Sequence, residues 1–389
     1  MKIIYITTAI REDDYRDFMK IWSKAPNPSN QNFHNKLIRS LAINHEVEVI
    51  SIRPFSKKFC NVRYLKKDFK EDQNIYWHYL TIKRGKFSKI STVTKETKII
   101  TKEITDINDC IILTDTINPI CIRTATMVSR IHNIPIVGVC TDSPSNISGT
   151  NRAYTLYLLK QAARCYGYIA LTTDLNELFN PNHKPSIIIE GIVEKLEKDA
   201  NMMSEKSPYF FFGGALLEKY GVFNLIKAFK MLNKPELDLY LCGHSGSNEK
   251  ITEEIKDYPN IHFLGTLPVV NVLHYEMYAL ANINPRPYTL DLDKLSIPSK
   301  TLEYLASGAL TISVRNTKLQ KYFDEDAIWA KSGSPEDLYV CLEKALSLSK
   351  KERKEIAERA KEKALEIFSL DSVNIKVSEF LTLFESKVN

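Results

Sequence analysis

Short apolar runs alternate with amphipathic stretches along the first half of the chain. Ile3–Thr7 is a β-branched run, Glu46–Ile52 alternates as a strand, and Ile75–Ile82 reads as another. Asp109–Leu113 and Ile134–Cys140 are almost continuously apolar, and Tyr168–Leu171 and Ser186–Ile189 add two short strands. Between them, Phe33–Ile43 (Leu37, Ile38, Leu41), Ile120–His132 and Ala153–Ala163 carry helical spacing. Strands that are apolar on both faces, separated by helices, predict a parallel sheet covered on both sides. The pattern breaks over Glu194–Pro208, a charged, Met- and Ser-rich stretch that reads as a linker, and then restarts. The second series has strands at Tyr209–Phe212, Leu237–Cys242, Ile261–Leu264, Ile283–Asn284 and Leu310–Val314. Its helices fall at Val222–Met231, Glu249–Lys256, Asn271–Leu280, Ile297–Ser307 and Pro335–Leu346. A charged helix, Lys350–Ile367, opens on the capping box Ser349-Lys-Lys-Glu352, and an amphipathic one, Ser372–Leu383, follows it.

Length supports this division, because 389 residues exceed the roughly 250–300 that one core serves. Hydrophobic residues make up 44% and charged residues 26%, a globular composition that excludes bulk disorder. The net charge of +6 is a mild excess that demands no nucleic-acid partner. The first strand begins at Lys2 with no basic segment and apolar run before it, so the sequence predicts no secretory signal. No uncharged apolar stretch approaches the 18 or so residues that a membrane span needs. The seven cysteines lie mostly in apolar runs, form no Cys-x-x-Cys and are odd in number, which predicts reduced core thiols and a cytoplasmic setting.

Ligands of such sheets bind at the carboxyl ends of the strands. There the chain carries Asn284-Pro-Arg286, then Ser296-Ile-Pro-Ser-Lys-Thr-Leu-Glu-Tyr-Leu-Ala-Ser-Gly308. Ser296 suits a helix cap, Pro298 its first turn and Gly308 its end. Ser299 and Lys300 at a helix start favour a phosphate. Arg286 at a strand end adds a bidentate grip, and Glu303, one turn on, can accept from a ribose cis-diol. A surface helix with an i,i+3 ion pair is the competing reading.

Pro298–Gly308 resembles the donor-binding segment of the GT-B glycosyltransferases of the glycogen-synthase-like group, family four (group 1). The order of elements matches along essentially the whole chain, most strongly over 209–315. The resemblance implies two Rossmann-like domains facing across a donor cleft, with a C-terminal helix crossing back to the first domain. The implied boundaries are 1–200 for an acceptor-binding domain, 201–368 for a nucleotide-sugar-binding domain and 369–389 for the returning helix. In the family's Glu-x7-Glu motif, Glu303 matches the ribose-gripping second glutamate. The first falls at Leu295, a departure for which Asp293 is near enough to substitute. Gly213-Gly-Ala-Leu-Leu-Glu-Lys-Tyr-Gly221 resembles the family's diphosphate loop, with its arginine and lysine positions at Ala215 and Tyr220. A one-residue slip brings in Lys219, while Gly213 and Gly214 keep the backbone close to a phosphate. An ordinary tight turn is the competing reading. Gly243-His-Ser-Gly246 resembles the family's glycine-rich turn, offering Gly243 and His244. Gly265, Thr266 and Leu267 fall where the family's backbone reads the base.

In the first half, Ser29 and Asn30 precede a helix, and Asp115 and Asp142 end strands. The resemblance makes Ser29, Asn30 and Asp115 acceptor-binding, and Asp142 a catalytic group beside Arg286 and Lys300. A turn or cap aspartate competes for Asp142. No Gly-x-Gly-x-x-Gly follows the first strand, which argues against a nicotinamide dehydrogenase. Residues 53–104 hold 14 Lys and Arg against five acids, with aromatics interleaved: a surface for an anionic membrane, or a solvated face. The resemblance implies a retaining, metal-independent transfer of a hexose-type sugar from a nucleoside-diphosphate sugar, UDP preferred. The implied acceptor is a glycan or lipid-linked molecule of bacterial surface polysaccharide synthesis. No cofactor, metal or nucleic acid is expected, and a peripheral place at the inner membrane face is. A nucleotide-sugar epimerase or a degenerate nucleotide-binding module are the rival readings.

Overall fold

The computed structural model describes residues 1–22, 28–55, 60, 62–146, 151–196, 208–244, 246 and 248–385. The expected linker falls largely on 197–207, and Ser245 of the glycine-rich turn and Lys57, Lys58 and Phe59 of the basic stretch also lie outside the described residues. The chain divides into two compact units: Met1–Ile192 with Lys294–Ser296 and Leu370–Asn389, and Val193–Asp293 with Ile297–Ser369.

In the first unit, the strands are β1 (Lys2–Thr7), β2 (Glu46–Ser51), β3 (Tyr64–Leu65), β4 (Asp68–Asp72), β5 (Ile75–Tyr79), β6 (Ile82–Lys83), β7 (Cys110–Asp115), β8 (Ile136–Cys140), β9 (Gly167–Ala170) and β10 (Ser186–Ile188). The sheet runs β10-β9-β8-β7-β1-β2-β5-β4, parallel except where β4 pairs antiparallel with β5. β7 and β8 are buried at every residue, as strands covered on both faces must be. The helices are α1 (Glu12–Met19), α2 (Pro28–Leu41), α3 (Lys86–Glu103), α4 (Pro119–His132), α5 (Arg152–Ala162) and α6 (Thr173–Phe179). Ile75–Ile82 is not one strand: β5 stays in the large sheet, while β6 pairs antiparallel with β3 in a separate ribbon.

The second unit holds a six-stranded parallel sheet in the order β13-β12-β11-β14-β15-β16. These strands are β11 (Tyr209–Gly213), β12 (Asp238–Cys242), β13 (Ile261–Gly265), β14 (Ala281–Asn284), β15 (Leu310–Val314) and β16 (Ile328–Ala330). Phe210 and Phe212 enter one core while Tyr209 and Phe211 enter the cluster on the opposite face, the period-two alternation of a central strand. The helices are α7 (Val222–Leu232), α8 (Asn248–Ile255), α9 (Val269–Tyr278), α10 (Leu290–Leu295), α11 (Ser299–Ser307), α12 (Thr317–Phe323), α13 (Pro335–Ser347) and α14 (Lys350–Phe368). The capping box at Ser349 and Glu352 is formed.

A final helix, α15 (Leu370–Thr382), belongs to the first unit, where Val373, Val377, Phe380 and Leu381 join the core at helical spacing. Each such buried side chain contributes about 1.5–3 kcal/mol of transfer free energy. Gly167 faces the Phe384 ring, which occupies the space a Cβ would need. All seven cysteines are free and buried. Burial pushes the Cys110 and Cys165 thiols up to about 12, so they stay protonated core groups at neutral pH.

Candidate active site

The carboxyl ends of β11 to β14 gather the glycine turns of the second unit, the end at which open parallel sheets bind ligands. The Gly214 N–H donates to the Cys242 carbonyl at 2.8 Å, the Leu216 N–H to the His244 carbonyl at 2.8 Å, and the Gly243 N–H to the Gly265 carbonyl at 2.7 Å. Gly243 has φ +138° and faces the Gly214 carbonyl oxygen, so neither the backbone nor the space admits a side chain. Gly221 meets the Pro285 carbonyl in the same way, which ties the loop after β11 to the residues before Arg286. Gly213, Gly214, Gly243, His244 and Gly265 are thereby brought together, with Thr266 and Leu267 following on the chain.

α11 is fixed beside these turns by buried polar groups. The Tyr304 hydroxyl accepts from the Gly213 N–H at 2.9 Å and donates to the Gly213 carbonyl at 3.1 Å. Burial pushes the Tyr304 phenol well up, so it keeps the proton it donates. Asn284 donates to the Thr301 hydroxyl at 2.8 Å, and Thr301 and Ser313 share a 2.8 Å bond, which holds the helix to β14 and β15. Ser296 does not cap α11 as expected. The N-cap is Pro298, whose ring offers no side-chain acceptor, and Gly308 closes the far end at φ +80°. A helix start without a side-chain cap leaves its donors for other partners.

Lys300 stands in the first turn of α11 between two carboxylates. Its Nζ is 2.8 Å from Glu303 Oε2 and 3.3 Å from Glu276 Oε1. Burial pulls the ammonium pKa down, but Glu303 and Glu276 outweigh it and hold the value well above the usual lysine range. The Glu276 side chain has no exposed surface. Sequence reasoning missed it, although it is the only acid of the mostly apolar α9. Tyr220, where the resemblance places a lysine, carries cations on its ring instead. The Arg286 guanidinium lies 5.2 Å and Lys219 Nζ 4.9 Å from its centroid.

The departure at Leu295 has a packing reason, and so does the burial of Asp293, the residue near enough to substitute. Leu295 packs on the core of the first unit, to which Lys294–Ser296 belongs. Asp293 is buried, and its two oxygens accept from the Thr317 N–H and hydroxyl, each at 2.7 Å. A sugar contact from Asp293 would have to displace those bonds. Ser299 is exposed at the start of α11.

In the first unit, Asp115 ends β7 at 1% exposure, so its carboxylate is not presented to an acceptor directly. It accepts from the Ile117 N–H at 3.0 Å and from Asn30 Nδ2 at 3.5 Å, and its Oδ2 lies 3.6 Å from His34 Nε2. Thr141 donates to Asn30 Oδ1 at 2.7 Å, and the Tyr5 hydroxyl meets His34 Nδ1 at 2.6 Å. What reaches the surface from this network is the half-buried pair Asn30 and Thr141, with Ser29 exposed beside Asn30. Tyr5, His34 and Thr141 carry no local sequence signal, because the network forms only when β1, α2, β7 and β8 meet. Asp142 is half-buried and accepts from the next N–H, that of Ser143, at 2.7 Å, a turn arrangement. Among the described residues, no group of three or more His, Cys, Asp or Glu side chains is placed to hold a metal ion.

Residues 193–363 match the family model described as Glycosyl transferases group 1. The chain resembles sucrose-phosphate synthase from Thermosynechococcus elongatus with TM-score 0.69 and 12% identity, over 99% of this chain and 100% of that one. It resembles Anabaena HepE, solved in complex with UDP-glucose, with TM-score 0.66 and 13% identity, over 98% and 100%. The α,α-trehalose 6-phosphate synthase of Burkholderia multivorans gives TM-score 0.68 and 12% identity, over 100% of both chains. At such identities the likeness shows the fold. No curated protein matches the chain by sequence.

Proposed function

Residues 193–363 are a glycosyl transferases group 1 domain within a GT-B fold, and on that premise we propose that the chain transfers a hexose from a nucleoside-diphosphate sugar, UDP-linked by preference, to a glycan or lipid-linked acceptor. The observation that carries this reading is a pair of cations at the carboxyl end of the second unit's sheet: Lys300 on α11, the helix whose Tyr304 bonds Gly213, and Arg286 after β14, whose guanidinium lies over Tyr220 of the loop after β11. A departing diphosphate gains negative charge as the anomeric C–O bond breaks and its electron pair moves to the phosphate oxygen. Fixed cations and helix-start N–H groups stabilise that charge without reorganising. The acceptor hydroxyl oxygen forms the new bond to the anomeric carbon, and its proton leaves with the diphosphate. Glu303 turns from Lys300 to the ribose diol. This chemistry uses neither metal nor cofactor and retains the anomeric configuration.

The basic stretch 53–104 suits this role in bacterial surface polysaccharide synthesis, at the inner face of the membrane. Phe87 is 89% and Phe69 51% exposed among its cations, and each charge near an anionic leaflet contributes about 1 kcal/mol. No helix among the described residues is long and apolar enough to cross a membrane, so the contact would be peripheral.

The test is a thermal-shift screen with UDP, GDP, ADP, CMP and their sugars, on the wild type and Glu303→Ala. UDP at about 100-fold over its Kd should stabilise the wild type by about 2.7 kcal/mol, and Glu303→Ala should lose most of that gain. No response to any nucleotide would overturn the reading. Binding of UDP-sugars without turnover against any glycan or lipid acceptor would reduce the protein to a nucleotide-binding module.

A further inference from the structure

Glu276 lies outside every motif that the donor reading uses, yet of the two carboxylates at Lys300 it is the more deeply buried. A buried carboxylate persists only with a charged partner, and here the partner is Lys300, 3.3 Å away. Lys300 already has Glu303 at 2.8 Å, so the second acid is redundant for neutralising a lysine. The two acids differ in freedom. The Glu303 side chain is 19% exposed and sits on α11, while that of Glu276 is wholly enclosed. The backbone of Glu276 is fixed as well, since Asn282 Nδ2 donates to its carbonyl at 2.9 Å and to Ser307 Oγ, at the end of α11, at 3.1 Å. A lysine ammonium has three N–H donors, and the two carboxylates take two of them.

We infer that Glu276 is a positioning residue for Lys300: it is the permanent anchor that keeps the ammonium aimed at the ligand's phosphates when Glu303 leaves for the ribose hydroxyls. This rests on the donor reading of Lys300 and Glu303 given above. Without the anchor, Glu303 would have to hold the lysine and grip the ribose at once, and binding would trade one contact for the other.

The inference predicts a sign that simple electrostatics does not. Removing a negative charge near an anionic ligand should tighten binding, whereas removing an anchor should weaken it. UDP affinity is measured by titration calorimetry for the wild type, Glu276→Gln, Lys300→Met and the double variant, from pH 7 to 10.5. Glu276→Gln should weaken UDP binding roughly ten- to hundredfold in the wild type and change it less than about twofold beside Lys300→Met. Glu276, Glu303, Tyr304 and Cys242 are the titratable groups around the ammonium. Loss of one of the two carboxylates that raise its pKa should therefore bring the alkaline fall in affinity to lower pH, with the titration of uracil common to all variants. If Glu276→Gln does not fold by thermal melt, Glu276→Asp carries the same test, since it withdraws the carboxylate by one methylene. Tighter or unchanged binding, or equal losses in both backgrounds, would overturn the anchor. A wild type that does not bind UDP would instead overturn the donor reading on which it stands.

Discussion

Lys300 and Arg286 were legible in the sequence because their signals are local. One is a cation in the first turn of a helix, three residues before an acid, and the other follows a strand. Glu276 was not, because its partner lies 24 residues away and an acid in an apolar helix has no periodic signature. If both cations face the leaving group, Lys300→Ala or Arg286→Ala should each raise the barrier to donor turnover by about 2–4 kcal/mol, read as kcat/KM. Tyr220 supports Arg286 through its ring face. Tyr220→Phe should therefore leave donor affinity within about twofold, while Tyr220→Ala should weaken it by about 0.5–1 kcal/mol. The pH dependence follows from the raised Lys300 pKa. The ion pairs contribute to stability fully below the ordinary lysine value of about 10.4 and fade as pH climbs through the higher folded value. Melts of the wild type and Lys300→Met should thus differ by a constant amount from pH 7 to 9 and converge only in strong alkali.

At the scale of elements, continuous apolar runs announced the parallel strands well, since burial on both faces leaves no polar alternation to confuse them. Elements that earn no burial were invisible. β4 is mostly exposed, and its Asp68–Asp72 residues read as part of a charged stretch. α3 carries many Thr, Ile and Val, whose branched side chains disfavour helix, and its cations drew attention to surface charge instead. Ile75–Ile82 read as one strand because nothing local marks where the chain passes from the large sheet to the small ribbon. The turns at the ends of β11 and β12 are the elements on which the site depends most. In Gly243→Ala the new methyl would meet the Gly214 carbonyl oxygen. That variant should lose UDP binding and cost about 1–3 kcal/mol of stability, seen as a lower Tm.

On the scale of the whole molecule, the restart of the strand–helix alternation made the division into two units readable, but the affiliation of the last helix came only from the family resemblance. Periodicity identifies an apolar face without saying which core it covers. The concentration of charge in 53–104 belongs to the first unit alone. We expect the protein to sediment with vesicles containing phosphatidylserine and to be released as salt rises from about 0.05 to 0.5 M, because the Debye length shrinks accordingly. Neutral vesicles should capture little of it, and capture unaffected by salt would exclude an electrostatic surface. The placement of α15 also has a consequence during synthesis. Residues 1–192 leave the ribosome long before Val377, Phe380 and Phe384 exist, by roughly 10–40 s at 5–20 residues per second. Throughout that interval the nascent N-terminal portion lacks the aromatic plug beside Gly167, so the half translated first is the half completed last.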